Sequence, residues 1–171
     1  GKIVCLGLNY LEHAKEGGHQ KPTAPSIFMR CTTSLVPHKM PIIRPLVSET
    51  LDYECELLVV IGKKAKHLTM DNAYSCIAGY SCFNDGSIRQ FQRRTAQWDN
   101  TANMLFPVAE TLVDISQGMT LMPGDVIVTG TPSGVGHARK PPLWMKHGDV
   151  CEIDIEGVGI LVNPIEDEKK A

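Results

Sequence analysis

Two glutamates separated by one residue, Glu54 and Glu56, precede a run of five apolar residues, Leu57 to Ile61. Because the side chains of a strand alternate between its two faces, both carboxylates point to the same side. Neighbouring carboxylates that lose part of their hydration repel each other, and a divalent cation or a shared proton relieves the repulsion. Oxygen ligands favour Mg²⁺, Mn²⁺ or Ca²⁺ over zinc. The pair therefore predicts a site for a hard divalent cation, with Mg²⁺ as the first choice.

The Glu-x-Glu spacing alone is weak evidence, because alternating glutamates also occur on the solvated face of an edge strand. A second strand-like segment, Gly79 to Arg89, carries Asp85 followed by a glycine. An acidic residue at the end of a second strand is a further signal of the same kind.

A histidine and a glutamate, His13 and Glu16, are three residues apart, which places them on one face of a helical turn. A glutamate beside a histidine fixes the imidazole tautomer and raises its basicity, so that the histidine can take a proton from water near neutral pH. The same spacing in isolation is more often a solvated surface pair. Its position directly after Gly7-x-Asn9-Tyr10, at a predicted strand end, favours the catalytic interpretation.

Many glycines and prolines separate short β-branched runs, which predicts a mainly β, mixed α+β fold with few short helices. The expected strands are Ile3 to Leu8, Glu54 to Ile61, Val126 to Thr129, Val150 to Ile155 and Gly159 to Val162. The expected helices are Leu11 to Glu16, Asp71 to Ile77 and Pro107 to Gln117, the last with Gly118 as a left-handed cap. Asp52 is interpreted as a turn or capping residue and His137 as part of a solvated loop.

The composition predicts one domain, residues 1–171, with 43% hydrophobic residues and a net charge of -2. The sequence has no concentrated basic face of the kind that would indicate a nucleic acid or a membrane as a partner. The six cysteines lack C-x-x-C spacing and are expected to be free thiols in a reducing compartment. Without a transmembrane-length stretch, we expect a cytoplasmic location.

The chain carries four motifs in a fixed order. They are Gly7-x-Asn9-Tyr10-x-x-His13-x-x-Glu16, Asp52-Tyr53-Glu54-x-Glu56-Leu57, Asn84-Asp85-x-Ser87-x-Arg89-x-x-Gln92 and Gly124-Asp125-Val126-Ile127-x-Thr129-Gly130-Thr131-Pro132. Together, in this order, they resemble the motifs of the fumarylacetoacetate hydrolase family. The resemblance covers essentially the whole chain. It implies a β-rich fold with a rolled mixed sheet, assembled as a homodimer.

The resemblance also implies roles for single residues, matched position by position to the motifs of the family. The implied metal ligands are Glu54, Glu56 and Asp85, and the implied water-activating pair is His13 and Glu16. The implied substrate contacts are Arg89, Gln92 and Thr131.

Three departures from the family pattern bear on the substrate. Arg30 stands where a lysine is common, and Gln90 replaces a common acidic residue. After Gln97-Trp98 the chain passes almost directly to Asn100-Thr101, without a block of strands that carries a substrate-binding lysine in many members. We expect the sequence to omit this block rather than the protein to have lost it, because loss of internal strands would expose core and sheet edges.

The first functional hypothesis is a Mg²⁺-dependent hydrolase that cleaves a carbon-carbon bond in a diketo acid, an acylpyruvate or a fumarylpyruvate-like compound. The cation would chelate the carboxylate and keto oxygen of the substrate and stabilise the enolate that leaves. The second hypothesis is a decarboxylase, isomerase or dehydratase of a related keto acid such as oxaloacetate. The third is a catalytically silent binding or assembly protein, against which the intact set of five predicted catalytic and metal-binding residues argues.

Overall fold

A computed structural model describes residues 1–7, 9–10, 12, 24–92 and 105–169, and strands predominate among them. The strands are β1 Ile3–Gly7, β2 Ser26–Arg30, β3 Ile42–Arg44, β4 Leu51–Asp52, β5 Cys55–Ile61, β6 Ile77–Asn84, β7 Ser87–Ile88, β8 Val126–Val128, β9 Val150–Ile155 and β10 Gly159–Asp167. The α-helices are α1 Arg89–Gln92 and α2 Val108–Gly118. Short 3-10 turns occupy Thr32–Ser34, Ala73–Cys76 and Gly136–Ala138. The predicted mainly β fold class is confirmed.

The largest sheet has five strands in the order β2-β1-β8-β5-β6. Strands β1 and β8 are parallel, and the other neighbours in this sheet are antiparallel. A three-stranded sheet has the order β3-β10-β9, with β3 parallel to β10. Strands β4 and β7 form a short antiparallel pair. The sheets are therefore mixed, as the family resemblance implies.

The five-stranded sheet buries apolar side chains on both faces. On one face Val4 and Val59 pack with Leu112 and Ile115 of α2. On the other face the buried cluster consists of Ile3, Cys5, Leu58 and Val128. Residues of even number on β5 share this second face, because side chains alternate along a strand. Glu56 therefore lies on the face opposite α2, and that face is left available for a site.

The predicted elements agree with the structure best where the local pattern is strong. The strand Val150–Ile155 is confirmed at both ends, and the helix predicted at Pro107 to Gln117 is found at Val108–Gly118. The left-handed cap at Gly118 is wrong, because Gly118 is the last helical residue and Met119 follows in an extended conformation with its N–H on Ile115 O. The segment predicted as a helix from Asp71 forms only a 3-10 turn, and the predicted helix from Leu11 to Glu16 lies outside the described residues apart from Glu12.

The buried amide of Asn9 ties three parts of the chain together. Its Nδ2 donates to Thr129 O at 2.9 Å and to Phe106 O at 3.1 Å, and its Oδ1 accepts from Phe106 N at 3.0 Å. These bonds join the end of β1, the loop after β8 and the entrance to α2. The six cysteines are free thiols, of which Cys31 is exposed. Among the described residues, no helix has the length and apolar character that crossing a membrane requires.

Candidate metal centre

Three buried carboxylates, Glu54, Glu56 and Asp85, meet where β5 begins and β6 ends. One ligand oxygen from each lies within 4.8 Å of the others. The antiparallel pairing of β5 with β6 brings the strand ends together, and Asp85 N donates to Glu54 O at 3.0 Å. Glu54 N in turn donates to the side chain of Asn84 at 3.0 Å. The structure thus brings together the three predicted ligands, and their role as ligands stays a prediction.

Glu56 is held by a glycine of the loop after β8. Gly130 N donates to Glu56 Oε2 at 2.6 Å, and Gly130 has a φ of +91°, which disfavours residues with a side chain. A Cβ atom at this position would lie 2.7 Å from Asn9 Cβ. Glycine is therefore required for the N–H to reach the glutamate. The next residue, Thr131, is buried, and its predicted substrate contact stays a prediction.

The pKa values of the two glutamates reflect this crowding. Burial and the nearby charge of Glu54 raise the pKa of Glu56 well above its ordinary value. Burial also raises the pKa of Glu54, against the opposing effect of Arg89. Without a cation, the cluster therefore retains protons, and these relieve the repulsion between the carboxylates. A shared proton is one of the two ways of relieving the repulsion that the sequence allows.

The charges around the cluster fit a divalent cation. Asp52, Glu54 and the other two carboxylates carry four negative charges when ionised, whereas Arg30 and Arg89 contribute two positive ones. The carboxylates therefore outnumber the guanidinium groups by two. Oxygen donors from three carboxylates are also the ligand set that Mg²⁺ or Mn²⁺ prefers. Asp85 Oδ1 is buried and pairs with Arg30, so a cation at this oxygen would replace or share the charge of that guanidinium.

Asp52 is a fully buried carboxylate that sequence reasoning assigned to a turn. It lies in β4 and accepts hydrogen bonds from Arg89 Nε at 2.7 Å, Gly136 N at 2.8 Å, Tyr53 N at 2.9 Å, His137 N at 3.1 Å and His137 Nδ1 at 3.2 Å. Burial alone would raise the pKa of Asp52, but His137 and Arg89 lower it to about 2. The strand period that pairs Glu54 with Glu56 also includes position 52, and this signal could have found it. No spacing in the sequence indicated His137.

The guanidinium of Arg89, a predicted substrate contact, is bound to other side chains of the protein. Nε bonds Asp52, Nη1 donates to Gln92 Oε1 at 2.7 Å, and Nη2 pairs with Glu54 Oε1 at 2.5 Å. Arg89 therefore orients a predicted ligand and links it to the Asp52 network. Gln92 is half-buried and lines a cavity beside the cluster. The substrate roles of both residues stay predictions, and His13 and Glu16 lie outside the described residues.

The comparisons with known proteins identify the family of the chain. The model of the fumarylacetoacetate (FAA) hydrolase C-terminal domain matches residues 2–99 and 94–166. The chain therefore belongs to the fumarylacetoacetate hydrolase family, which confirms the resemblance. An uncharacterized protein of Methanocaldococcus jannaschii is 38% identical over 98% of this chain and 84% of its own length.

Relatives with a named activity come from different reaction classes. Caffeoylpyruvate hydrolase of Neonothopanus nambi is 37% identical over 98% of this chain and 68% of that protein. The human mitochondrial oxaloacetate tautomerase FAHD2A is 33% identical over 96% of this chain and 66% of that protein. The solved structure of 5-carboxymethyl-2-hydroxymuconate delta-isomerase from Mycobacterium smegmatis has a TM-score of 0.82 and 30% identity, covering 99% of this chain and 80% of that one.

These alignments also bear on the block expected after Trp98. The alignment with the human protein spans 207 positions, so at least 36 positions have no counterpart among the 171 residues of the chain. The two segments that match the family model meet at residues 94–99. Omission of the block, rather than its loss, stays a prediction.

Proposed function

We propose that the chain is a divalent-cation-dependent enzyme acting on a 2-keto acid, and in the first place a hydrolase of a carbon-carbon bond in a diketo acid. The observation that carries the proposal is the buried cluster of Glu54, Glu56 and Asp85, which with Asp52 provides four carboxylates beside two guanidinium groups. The named hydrolase relative, which is 37% identical over 98% of the chain, supports this reaction class.

The residues of the chain divide the work of this reaction. Glu54, Glu56 and Asp85 would hold the cation, preferably Mg²⁺, and Arg89 fixes the orientation of Glu54. When bound, the cation supplies Lewis-acid polarisation of the keto oxygen of the substrate. His13, oriented by Glu16, would take a proton from water as the water attacks the distal carbonyl. The bond between that carbonyl carbon and the neighbouring CH₂ breaks, which yields a carboxylic acid and, after protonation, pyruvate.

The second candidate is a tautomerase, isomerase or decarboxylase of a smaller keto acid such as oxaloacetate. The human and rat oxaloacetate tautomerases, 33% and 32% identical over 96% of the chain, favour it. Tautomerisation moves a proton between carbon and the enol oxygen and needs no attacking water. The cluster would therefore serve both candidates, whereas His13 and Glu16 would be indispensable only to the hydrolase.

An assay of acetylpyruvate, fumarylpyruvate and oxaloacetate, with Mg²⁺ or with a chelator, tests the proposal. We expect Mg²⁺-dependent decay of the enol absorbance for at least one substrate, and product analysis by NMR distinguishes cleavage from tautomerisation. His13→Ala should abolish cleavage and spare tautomerisation. No turnover of any substrate and no Mg²⁺ binding would refute the enzyme proposal and favour the silent binding protein.

We also propose that the chain forms a homodimer. Among the described residues, the outer edge of β2 has no partner strand, and Ile27 and Met29 on this strand are exposed apolar residues. Light scattering after gel filtration should give twice the mass of the chain. A monomer at micromolar concentration would refute the proposal.

A further inference from the structure

A cavity of about 250 Å³ adjoins the carboxylate cluster. Asp85 belongs both to the cluster and to the wall of the cavity, so a molecule bound at the cluster extends into this space. Much of the wall is apolar. The residues that matter for the inference are Phe28, Arg30, Asp85, Ser87, Ile88 and Phe91.

Among the described residues, Arg30 and Arg89 place their guanidinium groups next to the cluster, and they differ in how firmly they are held. Arg89 is buried, with close partners on all three of its nitrogen atoms. The side chain of Arg30 is 23% exposed and pairs with Asp85 Oδ1. Its other contacts are long, 3.4 Å to Gly86 O and 3.4 Å to Ser34 Oγ. Arg30 is therefore the less firmly held of these two guanidinium groups.

We propose that Arg30 determines substrate specificity by binding a second carboxylate of the keto acid, the one that does not reach the cation. The inference rests on the proposed function, because it assumes a keto acid bound at the cluster. The preferred substrates are then dicarboxylic, such as oxaloacetate or fumarylpyruvate. Acetylpyruvate and caffeoylpyruvate, which lack a second carboxylate, are the disfavoured class.

Two physical features lead to this assignment. The alternation along β2 turns Phe28 and Arg30 inward, so the guanidinium faces the cavity above apolar side chains. A divalent cation on Asp85 neutralises the charge that holds Arg30, and the long contacts to Gly86 and Ser34 are weak by comparison. A substrate carboxylate in the cavity can then accept two parallel hydrogen bonds from the guanidinium of Arg30. The reduced dielectric of the cavity strengthens this pair.

The test compares Arg30→Met and Arg30→Lys with a matched control, Arg44→Met. Arg44 is an arginine of the three-stranded sheet that pairs with Asp167, away from the cavity. We expect Arg30→Met to lower kcat/KM for the dicarboxylic substrate by about 10- to 100-fold, the effect of a charge-assisted hydrogen bond. The loss for acetylpyruvate, which has no second carboxylate, should be smaller by about 10-fold or more. Arg30→Lys should fall between wild type and Arg30→Met.

Calorimetry provides a readout without turnover. In the presence of Mg²⁺, wild type should bind 2-oxoglutarate more tightly than 2-oxobutyrate, and Arg30→Met should remove this preference. Mg²⁺ affinity should be equal or higher in Arg30→Met, because a competing cation has been removed. An equal loss for both keto acids, or a loss of Mg²⁺ binding, would overturn the proposal. Wild-type protein that binds no Mg²⁺ and turns over no keto acid would instead overturn the proposed function, and this inference with it.

Discussion

Asp52 and Glu56 are buried carboxylates four residues apart, yet their surroundings are opposite. Asp52 is 0% exposed and accepts five hydrogen bonds, and its pKa lies at about 2. Glu56 is 2% exposed and, from the described residues, accepts one hydrogen bond, that of Gly130, and its pKa is raised well above the ordinary value. Burial is the same for the two groups. The number of donors that the fold supplies decides which carboxylate is part of the framework and which one retains capacity for a ligand.

The largest effect expected from this contrast is on catalysis. Glu56→Gln should abolish measurable Mg²⁺ binding and lower keto-acid turnover by at least about a thousandfold, because a neutral amide replaces a charged ligand. The metal-free variant should unfold at no lower temperature than wild type, since the amide is neutral without the proton that folded wild type must keep on Glu56. Isothermal titration calorimetry measures the binding of Mg²⁺, and differential scanning calorimetry measures the unfolding temperature. Unchanged Mg²⁺-dependent turnover would eliminate Glu56 as a ligand.

Asp52→Asn should have the opposite profile, with a large loss of stability. Removing this charge leaves Arg89 buried without one of its anions and should lower the free energy of unfolding by about 3–5 kcal/mol. Urea unfolding with a chelator present measures the change. The control is Asp167→Asn, which breaks the more exposed pair with Arg44 and should cost less than about 1 kcal/mol. Equal costs for the two variants would remove the distinction between framework and surface carboxylates.

Gly130→Ala should disturb the hydrogen bond from Gly130 N that holds Glu56. Both the backbone conformation and the approach to Asn9 oppose a side chain, so we expect a loss of about 1–3 kcal/mol together with weaker Mg²⁺ binding. Gly124→Ala is the control, because Gly124 has a φ of +85° and no atom within 4 Å of the added Cβ. The difference between the two variants isolates the contact with Asn9. Mg²⁺ affinity as high as that of Gly124→Ala would show that the loop does not position Glu56.

The smallest expected effect is a pH dependence. A raised pKa means that folded, metal-free protein keeps a proton on Glu56 that the unfolded chain releases above its own value of about 4.5. Stability of the metal-free protein should therefore decrease as pH rises from about 5 towards the raised pKa, by at most about 1.4 kcal/mol per pH unit. Thermal unfolding in chelator at several pH values measures the slope, with Glu56→Gln as the reference. A slope identical to that of the reference would contradict the raised pKa.

The sequence predicts the three carboxylates that the structure brings together, because part of the information is local. A period of two places Glu54 and Glu56 on one face, and a strand end followed by glycine marks Asp85. The sequence does not predict which carboxylate receives its hydrogen bonds from the rest of the fold. Apart from the adjacent N–H of Tyr53, the donors to Asp52 come from residues 37 to 85 positions away, so only the assembled structure shows them.

The fold divides in the same way between local and distant determinants. The helix α2 was placed within one residue at each end, because its apolar face and the preceding proline are local signals. Strands β2 and β3 were not predicted, since the first lies between proline-rich segments and both are stabilised by pairing with β1 and β10. The direction of the Arg89 guanidinium, inward to Asp52 and Glu54, likewise follows from tertiary packing.

Strand β5 has a hydrogen-bonded neighbour on each side, β8 and β6. Amide protons of such an interior strand exchange with solvent only when the sheet opens, so exchange at Glu56 and Leu58 should be among the slowest in the chain. A cation held there would be released through the cavity past Arg30 and not by local opening of β5. The edge of the site would then determine the residence time of the ion. Mg²⁺ should slow hydrogen exchange of the amides near Asp85 more than exchange of the amides of β5, and exchange measured with and without Mg²⁺ tests this.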